Sequence, residues 1–121
     1  MRYLLMIYAD EKAGDKLPAE EMDKWMERMY AYQAALEKAG VFIETAGLAR
    51  SYEATTVHLE NGEMKVHDGP FADTREQLGG FYVIDCPDMA AAQRWAAQCP
   101  GAIWGKIEVR PFSHYQPPTE R

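Results

Sequence analysis

The chain has 121 residues, which is enough for one hydrophobic core and one domain. Its net charge of −6 argues against a nucleic-acid-binding surface, which would be basic, and no apolar run approaches the roughly 20 residues of a membrane span. The two cysteines, Cys86 and Cys99, have no other potential metal ligands at a suitable spacing in the sequence, and nothing indicates that the protein is secreted. They predict reduced thiols in a cytoplasmic protein.

The first third of the chain predicts a strand, a long helix and a second strand. The first strand, from Tyr3 to Ala9, is apolar on both faces, so both faces should be covered. The helix starts at Pro18, carries an apolar stripe at helical spacing and ends after Lys38, where Gly40 suits the left-handed position. The second strand begins at Val41 and runs to about residue 47.

A β-hairpin comes next, because Asn61-Gly62 separates TTVHLE from EMKVHD. A two-residue turn there fixes two apolar and two polar cross-strand pairs: Val57–Val66, Leu59–Met64, His58–Lys65 and Thr56–His67. The two histidines and the neighbouring glutamates could in principle hold a divalent ion. A solvated hairpin face is the favoured interpretation, and we predict no metal site.

The last third predicts a strand over GGFYVIDC, a short helix and a final strand from Ile103 to Pro111. Asp88 is the expected N-cap of the helix, and Pro100-Gly101 is expected to end it. Along the final strand, charged residues alternate on the face that also holds an aromatic side chain; they are Lys106, Glu108 and Arg110, beside Trp104. Residues 113–121 have the composition of a C-terminal tail after a single domain over residues 1–112.

The order β-α-β, hairpin, β-α-β predicts an α+β fold, namely a ferredoxin-like split βαβ sheet with an inserted hairpin. Two helices can cover only one face of such a sheet, yet its first strand and the GGFYVIDC strand are apolar on both faces. A second copy of the same sheet is the simplest cover. We therefore expect a homodimer whose two sheets enclose a barrel-like interior.

The stretch DGPFADTREQLGGFYVID resembles the signature of the DGPF-type branch of the YCII-related family. Further segments in the same order extend the resemblance over nearly the whole chain: YLLMIYADE, PAEEM, ATTVHLENGE, WAAQCPGA and IEVRP. The resemblance implies a dimeric α+β barrel. Some family members use a His–Asp pair whose histidine lies on the first helix, but that helix has no histidine here, so this chemistry is not carried over.

Two interpretations of the DGPF stretch are open. Asp68 either caps a turn or is aimed at a cleft by that turn. Asp73 and Glu76 either form a one-turn capping box, or Arg75 and Glu76 lie on a loop as ligand-binding charges. Phe71, an apolar residue in a polar segment, is expected to anchor the loop in the core.

The function predicted from these features is the binding of a small polar organic molecule in a cleft at the dimer barrel. The candidate ligand-binding residues are Asp68, Arg75, Glu76, Arg110, Trp25, Tyr82 and Trp104. Any reaction would be cofactor-free acid–base chemistry of the lyase or isomerase kind, and whether the protein is an enzyme is open. The alternative is a regulatory or interaction module, because DGPF-type proteins are associated with extracytoplasmic-function sigma factors.

Overall fold

A four-stranded antiparallel sheet covered by helices on one face dominates the computed structural model, which describes residues 1–117. The elements are β1 (Arg2–Ala9), α1 (Glu11–Asp15), α2 (Ala19–Lys38), β2 (Phe42–Gly47), β3 (Thr55–Glu60), β4 (Glu63–Asp68), β5 (Gln77–Asp85), α3 (Met89–Gln98), α4 (Gly101–Trp104) and β6 (Lys106–Pro111). The strand order β2-β5-β1-β6 is that of a split βαβ sheet, while β3 and β4 form a separate hairpin. The predicted α+β, ferredoxin-like fold is confirmed.

The core lies between this sheet and the two longer helices, α2 and α3. Alternate residues of β1, namely Tyr3, Leu5 and Ile7, are buried against the helices. Leu36 of α2 and Ala92 of α3 are fully buried opposite them. Full burial of an aliphatic side chain such as Leu36 contributes about 1.5–3 kcal/mol, so this layer supplies most of the stability.

The opposite side of the sheet, here called the open face, has no helix over it in the part of the chain described. Its apolar centre consists of Leu4 and Met6 from β1 and Phe81 and Val83 from β5, which are cross-strand partners. Leu4, Met6 and Phe81 are only half-buried. The two-sided apolar strands predicted from the sequence are therefore present, with one side uncovered within a single chain.

Several local predictions are confirmed by the backbone. The hairpin has the predicted register, and Asn61 and Gly62 have φ values of 52° and 79°, as a two-residue turn of this type requires. Gly40 has a φ of 73° after α2. The Asp88 side chain accepts a hydrogen bond of 2.9 Å from the Ala91 amide at the start of α3.

Two local predictions are wrong, and one of the two interpretations of the DGPF stretch is excluded. The final strand begins at Lys106, because residues 101–104 continue from Pro100 as the short helix α4. Phe71 is 90% exposed and does not anchor its loop in the core. Residues 71–76 form bends without a helical turn, so the capping box between Asp73 and Glu76 is absent.

The chain beyond β6 returns to β1. The Phe112 amide donates to the Arg2 carbonyl at 2.9 Å, and the Arg2 guanidinium lies 4.3 Å from the centre of the Tyr115 ring. Positions 118–121 of the predicted tail lie outside the described residues, and its boundary at residue 113 stays a prediction. Among residues 1–117, no helix is long and apolar enough to cross a membrane.

Candidate functional site

Polar side chains collect on the open face where β1 ends and β5 and β6 begin. Tyr8 of β1 lies directly opposite Lys106 of β6, so both side chains stand on the same face. The Lys106 Nζ lies 2.6 Å from the Glu76 Oε1, and Glu76 immediately precedes β5. A cation and a carboxylate therefore meet at one end of the apolar open face, on the row that includes Tyr8, whose hydroxyl lies 3.9 Å from the Met6 Sδ.

A β-bulge brings an apolar residue into the same row. Ile7 pairs with Gly80, but the next residue, Tyr8, pairs with Leu78, so Gly79 is left without a partner on β1. A bulge of this kind shifts the alternation of the strand and re-aims the side chains beyond it. Leu78, Tyr8 and Lys106 therefore form one row across the sheet.

Leu78 also lines an open cleft of about 350 Å³. The remaining lining residues come from the β2–β3 connection and from the DGPF turn: Leu48, Ala49, Arg50, Ser51, Glu53, Ala54 and Pro70. Most of these side chains are apolar, while Arg50, Ser51 and Glu53 supply polar groups. The cleft thus combines apolar walls with a few polar groups, as small-molecule sites usually do.

Hydrogen bonds to α1 hold the polar wall of this cleft. The Glu11 carboxylate accepts from both the amide and the hydroxyl of Ser51, each at 2.7 Å. The Arg50 Nη2 lies 2.7 Å from the Asp15 Oδ1. The Glu11 amide donates to the Gln77 Oε1 at 3.0 Å, which ties α1 to the start of β5. The short helix therefore joins the cleft wall to the end of the sheet.

Local sequence explains why α1 forms at this point. The Asp10 carboxylate accepts from the amides of Lys12 and Ala13, at 3.0 and 3.3 Å, and so caps the helix. Glu11 occupies the first turn, where a negative charge is favoured. The capping residues Asp10 and Glu11 are visible in the sequence, but a helix of five residues is too short to show a periodic apolar pattern.

The candidates predicted from the sequence lie in different places. Glu76 and Arg110 are associated with the open face, where the Arg110 Nη2 lies 2.7 Å from the Glu108 Oε2. The rings of Trp25 and Trp104 meet edge to face with centroids 4.5 Å apart, which joins α2 to α4. None of the seven candidates lines the cleft itself.

The other three candidates differ in exposure. Tyr82 is 4% exposed and lies between the sheet and the helices, where its ring contacts Tyr32 edge to face. Asp68 ends β4, and Arg75 lies on the loop before Glu76; both are exposed. The DGPF stretch therefore reaches the cleft through Pro70, while its charged residues lie beside it.

The buried titratable groups are held in their neutral forms. Burial raises the pKa of Tyr32, whose hydroxyl donates to the Trp95 carbonyl at 2.7 Å. Burial also raises the pKa of the Cys86 and Cys99 thiols, which are both free. A raised thiol pKa disfavours the thiolate, so neither cysteine is suited to act as a nucleophile.

The hairpin histidines lie on its exposed polar face. The His58 Nε2 is 3.9 Å from the Glu60 Oε2, and His58 is separated from His67 by the diagonal of the hairpin. Within residues 1–117, no group of three or more His, Cys, Asp or Glu side chains is placed to hold a metal ion.

Tyr8, Ser51 and Glu11 were not predicted from the sequence as members of the site. Tyr8 belongs to the outward-facing set of the first strand, and its only distinguishing feature is a hydroxyl at the end of an apolar run. Glu11 and Ser51 are 40 residues apart, and no local pattern indicates that they meet.

Comparisons with known proteins agree with this geometry at the level of the family and the fold. The YCII-related domain matches residues 1–115. An uncharacterized protein of Rhizobium meliloti (strain 1021) is 37% identical over 119 residues, which cover 97% of this chain and 96% of that protein.

A solved structure of similar fold is the 5-chloro-2-hydroxyhydroquinone dehydrochlorinase of Burkholderia phenoliruptrix AC1100, in complex with 2,5-dihydroxybenzoquinone. It has a TM-score of 0.51 and 12% sequence identity, covering 95% of this chain and 96% of that chain. At this identity the likeness concerns the fold alone. Assignment to the DGPF-type branch stays a prediction.

Proposed function

We propose, from the premise that the chain belongs to the YCII-related family, that it binds a small polar organic molecule at the end of its open face. The observation that carries the proposal is the Lys106–Glu76 pair, since Lys106 shares one row of the sheet with Tyr8 and with Leu78, which lines the apolar cleft. The apolar wall would hold the body of the ligand. The charged pair and the phenol would recognise its polar substituents.

The same groups suit cofactor-free acid–base chemistry. Glu76 can accept a proton from a bound molecule, while Lys106 and Tyr8 can donate hydrogen bonds to an oxygen on which negative charge develops. Elimination and isomerisation need only such groups. A hydroxylated aromatic ring is a reasonable ligand class, since the dehydrochlorinase of similar fold is described in complex with a dihydroxybenzoquinone.

A two-fold dimer would complete this site. The apolar centre of the open face is uncovered in a single chain, and a second sheet packed on it would turn the cleft mouth and the Lys106–Glu76 pair towards a shared interior. Arg110 would also face that interior, where its planar fork matches a carboxylate. Asp68 and Arg75 stay candidates at the mouth.

We expect the parent protein to sediment as a dimer at micromolar concentration, because the open face leaves apolar side chains from two neighbouring strands in water. Sedimentation velocity over a dilution series is the measurement. A stable monomer throughout the series would contradict the dimer.

Ligand binding is tested with 2,5-dihydroxybenzoquinone and a panel of hydroxylated benzoates as probes. A probe at about 100 times its dissociation constant should stabilise the protein by about 2.7 kcal/mol, which a thermal-shift assay detects. For a probe that binds, we expect Glu76→Gln and Tyr8→Phe each to weaken binding by about tenfold, because each removes a polar contact worth about 1.5 kcal/mol.

The control for these variants is Lys38→Met, which removes an exposed charge in the last turn of α2, away from the site. It should bind the probe like the parent. Equal binding by the parent, Glu76→Gln and Tyr8→Phe would show that the ligand lies elsewhere. The regulatory alternative gains no support from the two similar proteins, since neither name describes a regulator.

A further inference from the structure

The β3–β4 hairpin, here called the arm (Thr55–Asp68), stands away from the rest of the described chain. Eleven of its twelve strand residues are exposed, and Thr56 is half-buried near the base. At that base the Gly69 amide donates to the Ala54 carbonyl at 2.7 Å, and the Thr56 hydroxyl donates to the Gly69 carbonyl at 2.9 Å. An isolated two-stranded hairpin is marginally stable in water, so an arm like this needs a surface to pack on.

One face of the arm is apolar and the other is polar. The apolar face consists of two cross-strand pairs, Val57–Val66 and Leu59–Met64, whose members are 54%, 56%, 71% and 65% exposed. The other face carries the histidines and Lys65. A ribbon exposed to water on both sides would have no physical reason to separate its side chains in this way.

The total accessible area of the chain is larger than a compact monomer of its mass would expose. The accessible area is 8886 Å² for a chain of 13.8 kDa, whereas a compact monomer of that mass exposes about 6,600 Å². The excess is on the order of 2,000 Å². A stable interface needs only about 800 Å² from each partner, so the uncovered surface is large enough for an extensive contact with a second copy.

The placement of the arm points to the same partner as the open face. Through the DGPF turn and its loop, β4 leads into β5, which supplies Phe81 and Val83 to the open face. Each strand of the arm has six residues and is therefore about 20 Å long, which exceeds the roughly 15 Å across a four-stranded sheet. An arm of this length can cross a partner's sheet from one edge to the other.

We propose that the arm is exchanged between two copies of this chain, so that the apolar face of each arm packs on the partner copy. Phe71, 90% exposed at the foot of the arm, belongs to the same contact. The inference rests on the dimer proposed above and extends it: each open face is bordered by an arm that the other copy supplies. The DGPF turn then sets the direction of the arm, which gives its exposed phenylalanine a role.

The test compares Leu59→Asp with His58→Asp in the full-length chain. The two residues are neighbours on opposite faces of the arm, with similar exposures of 71% for Leu59 and 66% for the His58 side chain. In an isolated chain, both substitutions should be tolerated alike. If the arm packs on a partner, Leu59→Asp should raise the dimer dissociation constant by at least about tenfold, as loss of an interface anchor does. His58→Asp should leave it within about twofold of the parent value.

Sedimentation equilibrium gives the dissociation constants, and far-UV circular dichroism shows whether each variant is folded. If Leu59→Asp does not fold, Val66→Thr, which keeps the side-chain shape, takes its place with the same expectation. A monomeric parent, or equal dissociation constants for the apolar-face and polar-face variants, would overturn the inference. Probe binding to the parent separates the two proposals. If the parent binds a probe but Leu59→Asp and His58→Asp have equal dimer dissociation constants, only the exchanged arm is refuted. If Leu59→Asp weakens the dimer but the parent binds no probe, only the proposed function is refuted.

Discussion

Gly105→Ala is expected to be the most destabilising single substitution proposed here. A Cβ atom at this position would overlap the Tyr8 carbonyl oxygen and would lie 3.2 Å from the Ala9 Cβ. The first of these atoms belongs to the backbone of β1, a central strand hydrogen-bonded on both sides. It cannot move aside as the tip of a side chain can, so β1 and β6 must separate locally.

The expected loss is at or above the upper end of the roughly 1–3 kcal/mol typical of overpacking. For a domain of this size, that corresponds to a fall in melting temperature of roughly 10 °C or more. The matched control is Gly14→Ala in α1, where a Cβ would meet nothing within 4 Å. Alanine is favoured over glycine in a helix by about 0.5–1 kcal/mol, so the control should be neutral or slightly stabilising.

Thermal and urea unfolding of the two variants make the comparison. Gly105 also precedes Lys106, so the strain should displace the Lys106 ammonium from Glu76 and weaken the proposed site in any protein that folds. A Gly105→Ala variant as stable as Gly14→Ala would mean that the β1–β6 ladder is looser at this point than the geometry indicates.

What the sequence predicted well depends on short-range physics. The hairpin register follows from the Asn61-Gly62 turn, because a two-residue loop leaves no freedom in the pairing. The cap at Asp88 depends on a residue and an amide three positions apart. The open face was predicted from β1, since successive side chains of a strand point to opposite faces and both sets are apolar here.

The errors arise where the determining contact is distant in the sequence. Helix α3 ends before Pro100-Gly101 as predicted, but the chain then forms α4 instead of entering the last strand at Ile103. A Cβ at Gly101 would lie 2.9 Å from the Ile7 Cγ2 and 3.3 Å from the Ile107 Cδ1, so α4 packs closely on β1 and β6, a contact that local sequence does not show. The Lys106–Glu76 contact spans 30 residues and exists because β5 and β6 flank β1. Phe71 was expected in the core because large apolar side chains are usually buried, but within the described part of one chain it stays exposed.

The site could be predicted less well than the fold for the same reason. Its cleft is built from the β2–β3 connection, which has no strong pattern of its own and is positioned by Glu11 and Asp15 of α1. Composition alone could not place α1 beside that connection. By contrast, the DGPF stretch has a distinctive sequence, but its charged residues lie outside the cleft and Pro70 lines it.

Gly80→Val is the second substitution with a large expected effect, and the structure supplies its control in the opposite strand. A Cβ at Gly80 would lie 2.9 Å from the Ala46 carbonyl oxygen and 3.5 Å from the Gly47 Cα. Gly47 is the cross-strand partner of Gly80, yet a Cβ there would meet nothing within 4 Å. Valine at either position has a high preference for strands, so the two variants differ mainly in the space available.

We expect Gly80→Val to lose about 1–3 kcal/mol of unfolding free energy, and Gly47→Val to stay within about 0.5 kcal/mol of the parent. The loss should be smaller than at Gly105, because β2 is an edge strand and can be pushed outward. That movement has a functional consequence: the Leu48 amide donates to the Gly79 carbonyl at 2.9 Å, and Leu48 lines the cleft. Urea unfolding measures the two free energies, and equal values would show that β2 already lies farther from Gly80 than the contact with Ala46 requires.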